Sequence, residues 1–95
     1  MAELDPLIHA PARLRVVTTL SAVSEAEFAT LRTALEVSDS VLSKHISALA
    51  DAGYVRSRKG VQAGRRTTWI ELTSAGRKAL REHVAALRQL IDVVN

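Results

Sequence analysis

One stretch constrains this chain more than any other. Ser38 to Gly53, SDSVLSKHISALADAG, reads as a helix with both ends marked. The Ser38 hydroxyl can accept from a free amide of the first turn, and Asp39 puts negative charge where the helix dipole favours it. Leu42, Ile46, Leu49 and Ala50 recur at helical spacing and predict a buried stripe. Gly53 falls where a left-handed residue would end the helix. At about 100° per residue, Ser40, Ser43, Lys44 and Ser47 share a different face. That face has three short hydroxyls and one cation where a solvent-facing helix more often carries long charged side chains. Short hydroxyls let a helix sit close to another surface. A DNA major groove, which admits one helix and offers acceptors and phosphates, is one such surface. The same composition also fits an ordinary serine-rich surface helix.

Beyond Gly53 the apolar period changes from 3.6 to 2. Tyr54 to Arg58 and Thr67 to Leu72 are β-compatible, the second with Thr68, Ile70 and Leu72 on one face and Trp69 on the other. Between them KGVQAGRR, with Gly60 and Gly64, predicts a glycine-bearing loop. The expectation is an antiparallel hairpin over 54–72 with a basic tip, Trp69 covering one side or meeting a partner subunit.

Before Ser38, Asp5-Pro6 reads as an N-cap with proline at the first helical position, opening a short turn through Leu7 and Ile8. Pro11 starts a second helix to about Ala22, with Leu14, Val17, Leu20 and Val16 inward and Arg13 and Arg15 outward. A third helix is predicted over 25–36, with Phe28, Leu31 and Leu35 inward. Ser24-x-x-Glu27 matches a capping box, which would start it at Glu25. Alternatively, residues 24–28 are extended and the helix starts after Phe28. Either way, a helix, a tight turn at Val37-Ser38 and the polar-faced helix 38–52 make a helix-turn-helix.

After the hairpin, Thr73 or Ser74 caps a final helix over 74–93. Leu80, Val84, Leu87, Ile91 and Val94 follow a 4-3-4-3 spacing, a coiled-coil-like seam widened by Ala86 and Leu90. A 95-residue chain that is 47% hydrophobic and 3% aromatic has a small, aliphatic core. This seam is longer than such a core needs, and a lone chain would leave it exposed. A two-fold homodimer covers it, with Leu7 and Ile8 of the first turn assigned to the same interface. The alternative is a monomer in which the last helix folds back on the first.

The charge balance is modest, +3 overall, but uneven. From Val55 to Ile70 there are five cations, Arg56, Arg58, Lys59, Arg65 and Arg66, and no acid. A basic block in an otherwise mixed chain points to a polyanion at that place. The competing explanation is a solvated hairpin edge that resists aggregation. With no cysteine there are no disulfides or thiolate metal sites. His9, His45 and His83 are scattered without ligand spacing, so no metal and no cofactor are expected. The acidic start MAELDPLIHA lacks the basic region of a signal peptide. No apolar run approaches the roughly 18 residues of a membrane span. These features predict a cytoplasmic protein with no membrane contact. Ser43 and His45, two apart on a helix, cannot face each other as nucleophile and base, and no phosphate loop or carboxylate pair appears, so an enzyme is not expected.

The order helix, helix, polar-faced helix, basic hairpin, long apolar-seamed helix resembles the winged-helix bacterial transcription regulators, above all the short MarR/ArsR-like group. Three segments carry the resemblance, which spans about residues 7 to 88. VLSKHISALADAGYV at 41–55 is similar to the family's recognition helix running into the first wing strand. ELTSAG at 71–76 is similar to its Leu-Thr-x-x-Gly, and LIHAPARLRVV at 7–17 to its opening helix. The resemblance implies a winged helix-turn-helix, mainly α with a small β-hairpin, in one domain over residues 1–95 with a C-terminal dimerisation helix. It places Ser40, Val41, Ser43, Lys44 and Ser47 at groove-facing positions and Arg65 and Arg66 on the wing. Lys44 can donate to a guanine edge or a phosphate, and the amides near Ser38 to Ser40 can hold a phosphate. Helix 38–52 has no outward Arg, Asn or Gln, so phosphate anchoring and shape reading are expected to outweigh base reading. The implied function is a homodimeric, sequence-specific regulator that binds double-stranded DNA. The chain is shorter than typical MarR proteins, which carry extra helices beside a ligand pocket, and no effector is assigned. A winged helix that binds another protein, or double-stranded RNA, remains the alternative.

Overall fold

The computed structural model describes residues 3–94. Five helices and three strands follow one another as α1 (Pro6–His9), α2 (Pro11–Ser21), β1 (Ala26–Glu27), α3 (Phe28–Leu35), α4 (Asp39–Asp51), β2 (Val55–Gln62), β3 (Arg65–Leu72) and α5 (Ser74–Val94). The strands form one antiparallel sheet in the order β1-β3-β2. This is the winged helix-turn-helix expected from the order of the elements.

The core is aliphatic. Ile8, Val16, Val17, Leu20, Leu31, Leu35, Leu42, Ile46, Leu49, Val55, Ile70 and Leu72 form one buried cluster drawn from α1 to α4 and the two long strands. Each fully buried aliphatic side chain contributes about 1.5–3 kcal/mol of transfer free energy. Ala50, expected on the buried stripe of α4, is exposed. The buried stripe is therefore Leu42, Ile46 and Leu49, narrower than the spacing suggested.

Both ends of α4 form as expected. The Ser38 hydroxyl accepts from the Val41 amide. At the far end, Tyr54 N–H donates to the Leu49 carbonyl and Gly53 N–H to that of Ala50, with Gly53 at φ +79°. This pair of bonds closes the helix on a left-handed residue. The same device ends α3, but Glu36 (φ 56°) occupies the left-handed position. Its amide donates to Thr33 and that of Val37 to Arg32. Across the turn, Arg32 pairs with Asp39 at 2.8 Å, tying α3 to α4.

Three further expectations are corrected. Of the two starts considered for the third helix, the one at Glu25 is not taken: the capping box Ser24–Glu27 does not form, residues 26–27 are extended and α3 starts at Phe28. Ala26 and Glu27 instead pair with Ile70 and Trp69 of β3, which satisfies their backbone groups in the sheet. The Glu27 carboxylate accepts from Thr67 at 2.8 Å and does not cap α3. The second correction is the basic loop. Residues 59–62 and 65–66 are ladder residues, and the turn is only Ala63-Gly64, with φ of 51° and 78°. Two residues of positive φ match the right-handed twist of the strands and leave few backbone groups unpaired. Arg13, expected to point away from the core, turns back and donates from Nε to the Leu7 carbonyl.

The Leu-Thr-x-x-Gly segment has a clear physical role. Thr73 Oγ1 accepts from the Gly76 amide, capping α5, and donates to the Gly53 carbonyl at 2.6 Å. The Thr73 amide also donates to the Tyr54 carbonyl. A Cβ on Gly76 would collide with that carbonyl. Threonine and glycine together therefore lock the start of α5 against the end of α4.

The first half of α5 packs on the core through Ala79 and Leu80, with Gly76, His83 and Ala86 buried. The second half runs past it. Val84 and Leu87 are half-buried, while Leu90, Ile91, Val93 and Val94 are exposed, Ile91 by 54% and Val94 by 82%. None of the helices described is long and apolar enough to cross a membrane.

Candidate nucleic-acid interface

Burial divides α4 into two faces. Leu42, Ile46 and Leu49 are buried, whereas Ser40, Val41, Ser43, Lys44 and Ser47 are all exposed. Ser38 is exposed at the N-terminal end, its hydroxyl engaged in the cap. The outer face is therefore a row of short hydroxyls around Lys44, with one exposed aliphatic group, Val41. It can donate to phosphates or base edges, and its first turn offers backbone amides to an anion.

The hairpin displays its cations unevenly. Cross-strand partners are Val55–Leu72, Arg56–Glu71, Ser57–Ile70, Arg58–Trp69, Lys59–Thr68, Gly60–Thr67, Val61–Arg66 and Gln62–Arg65. Directly opposed residues share a face, so Lys59 and Arg66 lie on the face that carries Ile70 and Leu72 into the core. Arg56, Arg58 and Arg65 lie on the other face. Lys59, Arg65 and Arg66 are exposed, and no ion pair among the described residues involves them. Lys59 Nζ donates to Thr68 Oγ1 at 3.3 Å.

Two of the five hairpin cations expected to contact DNA are already engaged. Arg56 Nε pairs with Glu71 at 2.8 Å. Arg58 donates twice to Glu25, from Nη2 at 2.5 Å and from Nε at 3.0 Å. That bond holds the Arg58 guanidinium protonated beyond its ordinary range, with the Glu25 charge as a further cause. The block without acids is thus acid-free in sequence only. Glu71 was recoverable from the sequence once Ala63-Gly64 is taken as the turn, because the register then sets residue 56 opposite residue 71. Glu25, 33 positions from Arg58, left no such signal.

The dimer residues divide as well. Ile8 is fully buried in the chain's own core, so it cannot be shared with a second chain. Leu7 and Leu80 are partly buried against that core. Val84 and Leu87 are half-buried, and Ile91 and Val94 remain on the surface.

A polar knot joins the ends of the chain to α4. The Asp5 amide donates to His83 Nδ1 at 3.0 Å, its Oδ1 caps α1, and its Oδ2 accepts from the Tyr54 hydroxyl at 2.6 Å. His83 is fully buried, and its Nε2 has no partner. Burial, then the nearby His9, holds His83 below the ordinary histidine range, with Asp5 opposing. Tyr54 is pushed up to about 12, chiefly by its bond to Asp5. For Asp5 itself burial works upward. The bonds from Tyr54 and the amides of Ile8 and Leu7 outweigh it, leaving the carboxyl below its usual value. Among the described residues no group of three or more His, Asp or Glu side chains is arranged to hold a metal ion.

Residues 12–91 match the winged helix DNA-binding domain family. An uncharacterized protein of Methanocaldococcus jannaschii is 29% identical over 84 residues, covering 88% of this chain and 91% of that one. Among solved structures, the transcriptional regulator homologue protein from Pyrococcus horikoshii OT3 superposes with a TM-score of 0.88 at 27% identity, over 94% of this chain and 88% of that one. A MarR family transcriptional regulator from Silicibacter pomeroyi superposes with a TM-score of 0.70 at 26% identity, over 87% of this chain but only 54% of that one. This chain belongs to the winged helix DNA-binding domain family, and it shares its fold with transcriptional regulators such as these.

Proposed function

We propose that the protein is a homodimeric, sequence-specific regulator of transcription that binds double-stranded DNA in the cytoplasm. In this reading α4 enters the major groove, and Lys59, Arg65 and Arg66 of the wing meet the backbone or the adjacent minor groove. One observation supports it above the others: α4 buries its aliphatic face completely and leaves Ser40, Val41, Ser43, Lys44 and Ser47 uncovered. Such a helix can approach a groove wall closely. Lys44 is its one strong donor, and Val41 offers an apolar contact to a thymine methyl. Base reading by one subunit is therefore modest, and wing arginines add shape reading. Two subunits must add their half-sites. The exposed Leu90, Ile91, Val93 and Val94 of α5 supply the apolar surface for that pairing. In a helix-turn-helix dimer the half-site centres lie about 10 bp, or a multiple of that, apart.

Fluorescence anisotropy of labelled random and genomic duplexes at two salt concentrations tests the proposal. Binding should weaken steeply with salt, by a slope of about 0.9 for each phosphate neutralised. Absence of binding by the purified dimer at low salt would leave a protein-binding winged helix as the better account.

A further inference from the structure

We propose that Glu25, Arg58 and Trp69 form a brace that sets the angle of the wing, making Arg58 a positioning residue and not a DNA contact. The proposal rests on the DNA-binding reading above for its consequence, but not for its geometry. The far end of the hairpin has little holding it from the core side. Beyond Val55 and Ile70 that face carries Lys59, Val61 and Arg66, all exposed, Val61 by 69%. Support comes from the opposite face, in three layers. Glu27 of β1 accepts from Thr67. Glu25, just before β1, accepts from Arg58 Nε and Nη2. The Arg58 guanidinium carbon lies 5.5 Å from the centre of the Trp69 ring, its cross-strand neighbour.

Gly60, next along the same face, completes the arrangement. A Cβ there would come within 3.0 Å of the Trp69 indole and 3.1 Å of Arg58 Nη1. Glycine at this strand position leaves room for the indole and the guanidinium. A bidentate carboxylate pair has fixed geometry, so it resists swinging as well as separation. It also neutralises Arg58, which leaves little net charge for a phosphate. The residues left to touch DNA are Lys59, Arg65 and Arg66, and their reach depends on the brace.

The test exploits a sign. Removing an acid from a protein that binds a polyanion strengthens binding if electrostatics alone operates. A brace predicts the reverse. Glu25→Gln should bind a labelled duplex about 3- to 10-fold more weakly, the cost of ordering a loosened wing. Its salt slope should be unchanged. Arg58→Gln should show the same loss and the same slope, whereas a lost phosphate contact would lower the slope by about 0.9. The exchange Glu25→Arg with Arg58→Glu should recover binding towards wild type. Tighter or equal binding by Glu25→Gln, or a reduced slope for Arg58→Gln, overturns the proposal. Trp69 is the only tryptophan, so its emission reads the brace in the free protein. Glu25→Gln should shift that emission while far-UV circular dichroism stays the same. If wild-type protein fails to bind any duplex, the DNA-binding reading fails. The emission then decides the brace by itself, and an unchanged spectrum overturns it.

Discussion

The recognition helix and the wing carry the same inferred task but are built on opposite terms. On α4 the outer face needs no partner from elsewhere. Its hydroxyls and Lys44 are presented because the other face is fixed in the core by Leu42, Ile46 and Leu49. On the wing, presentation is settled by distant residues. Glu71 takes Arg56 and Glu25 takes Arg58, so three of five cations remain without an ion pair among the described residues. A helix face follows mostly from spacing, Ala50 at its edge excepted, whereas the free charge of a hairpin depends on the acids that the rest of the fold brings to it.

That contrast can be broken first at the helix. Leu49→Ala removes a fully buried side chain and should cost about 2–5 kcal/mol in urea unfolding. Ser43→Ala on the exposed face should stay within about 0.5 kcal/mol. Equal losses would mean that the two faces are not separated as described. On the wing, Arg65→Ala with Arg66→Ala should leave the fold intact and weaken binding to all duplexes, lowering the salt slope by about 2 in anisotropy titrations. Lys44→Ala should change which sequences are preferred. A uniform loss there would make Lys44 a phosphate contact like the wing arginines.

A smaller effect tests the link between Asp5, at the start of α1, and α5. His83 Nδ1 accepts from the Asp5 amide, so protonation must break that bond inside a buried site. Folded His83, and His45 likewise, take up protons at lower pH than they do unfolded. The stability they contribute is therefore complete above the ordinary histidine value of about 6.5 and is lost as pH falls below it. Urea midpoints should drop between pH 7.5 and 5.5, and less so in His83→Gln. A midpoint that rises with acid would contradict the assignment. The smallest effect is at the wing turn. Ala63→Asn relieves a left-handed alanine and should stabilise by about 0.5–1 kcal/mol, read as a small rise in Tm.

Much of this was legible before any coordinates. The caps of α4, the helix-turn-helix order, the hairpin and the overlong α5 follow from local signals: Ser38, Gly53, the period change and the 4-3-4-3 seam. What was not legible depended on pairing across distance. For Ala26 and Glu27 the sequence left two readings open, because Ser24-x-x-Glu27 is a good local cap, and pairing with β3 decides for the extended one. Lys59 to Gln62 read as loop because of Gly60, a residue required by the indole that lies against it. Ile8 looked like interface because it sits in a short terminal turn, yet it is fully buried beneath α2 and the rest of the core.

Hydroxyl-radical footprinting of the purified protein on a duplex recovered by binding-site selection tests the central claim most directly. Two protected patches should appear, with centres about 10 bp or a multiple of it apart, each flanked by protection that disappears when Arg65 and Arg66 are replaced by alanine. A single unbroken patch, or flanking protection that survives those substitutions, would contradict a paired helix-and-wing surface.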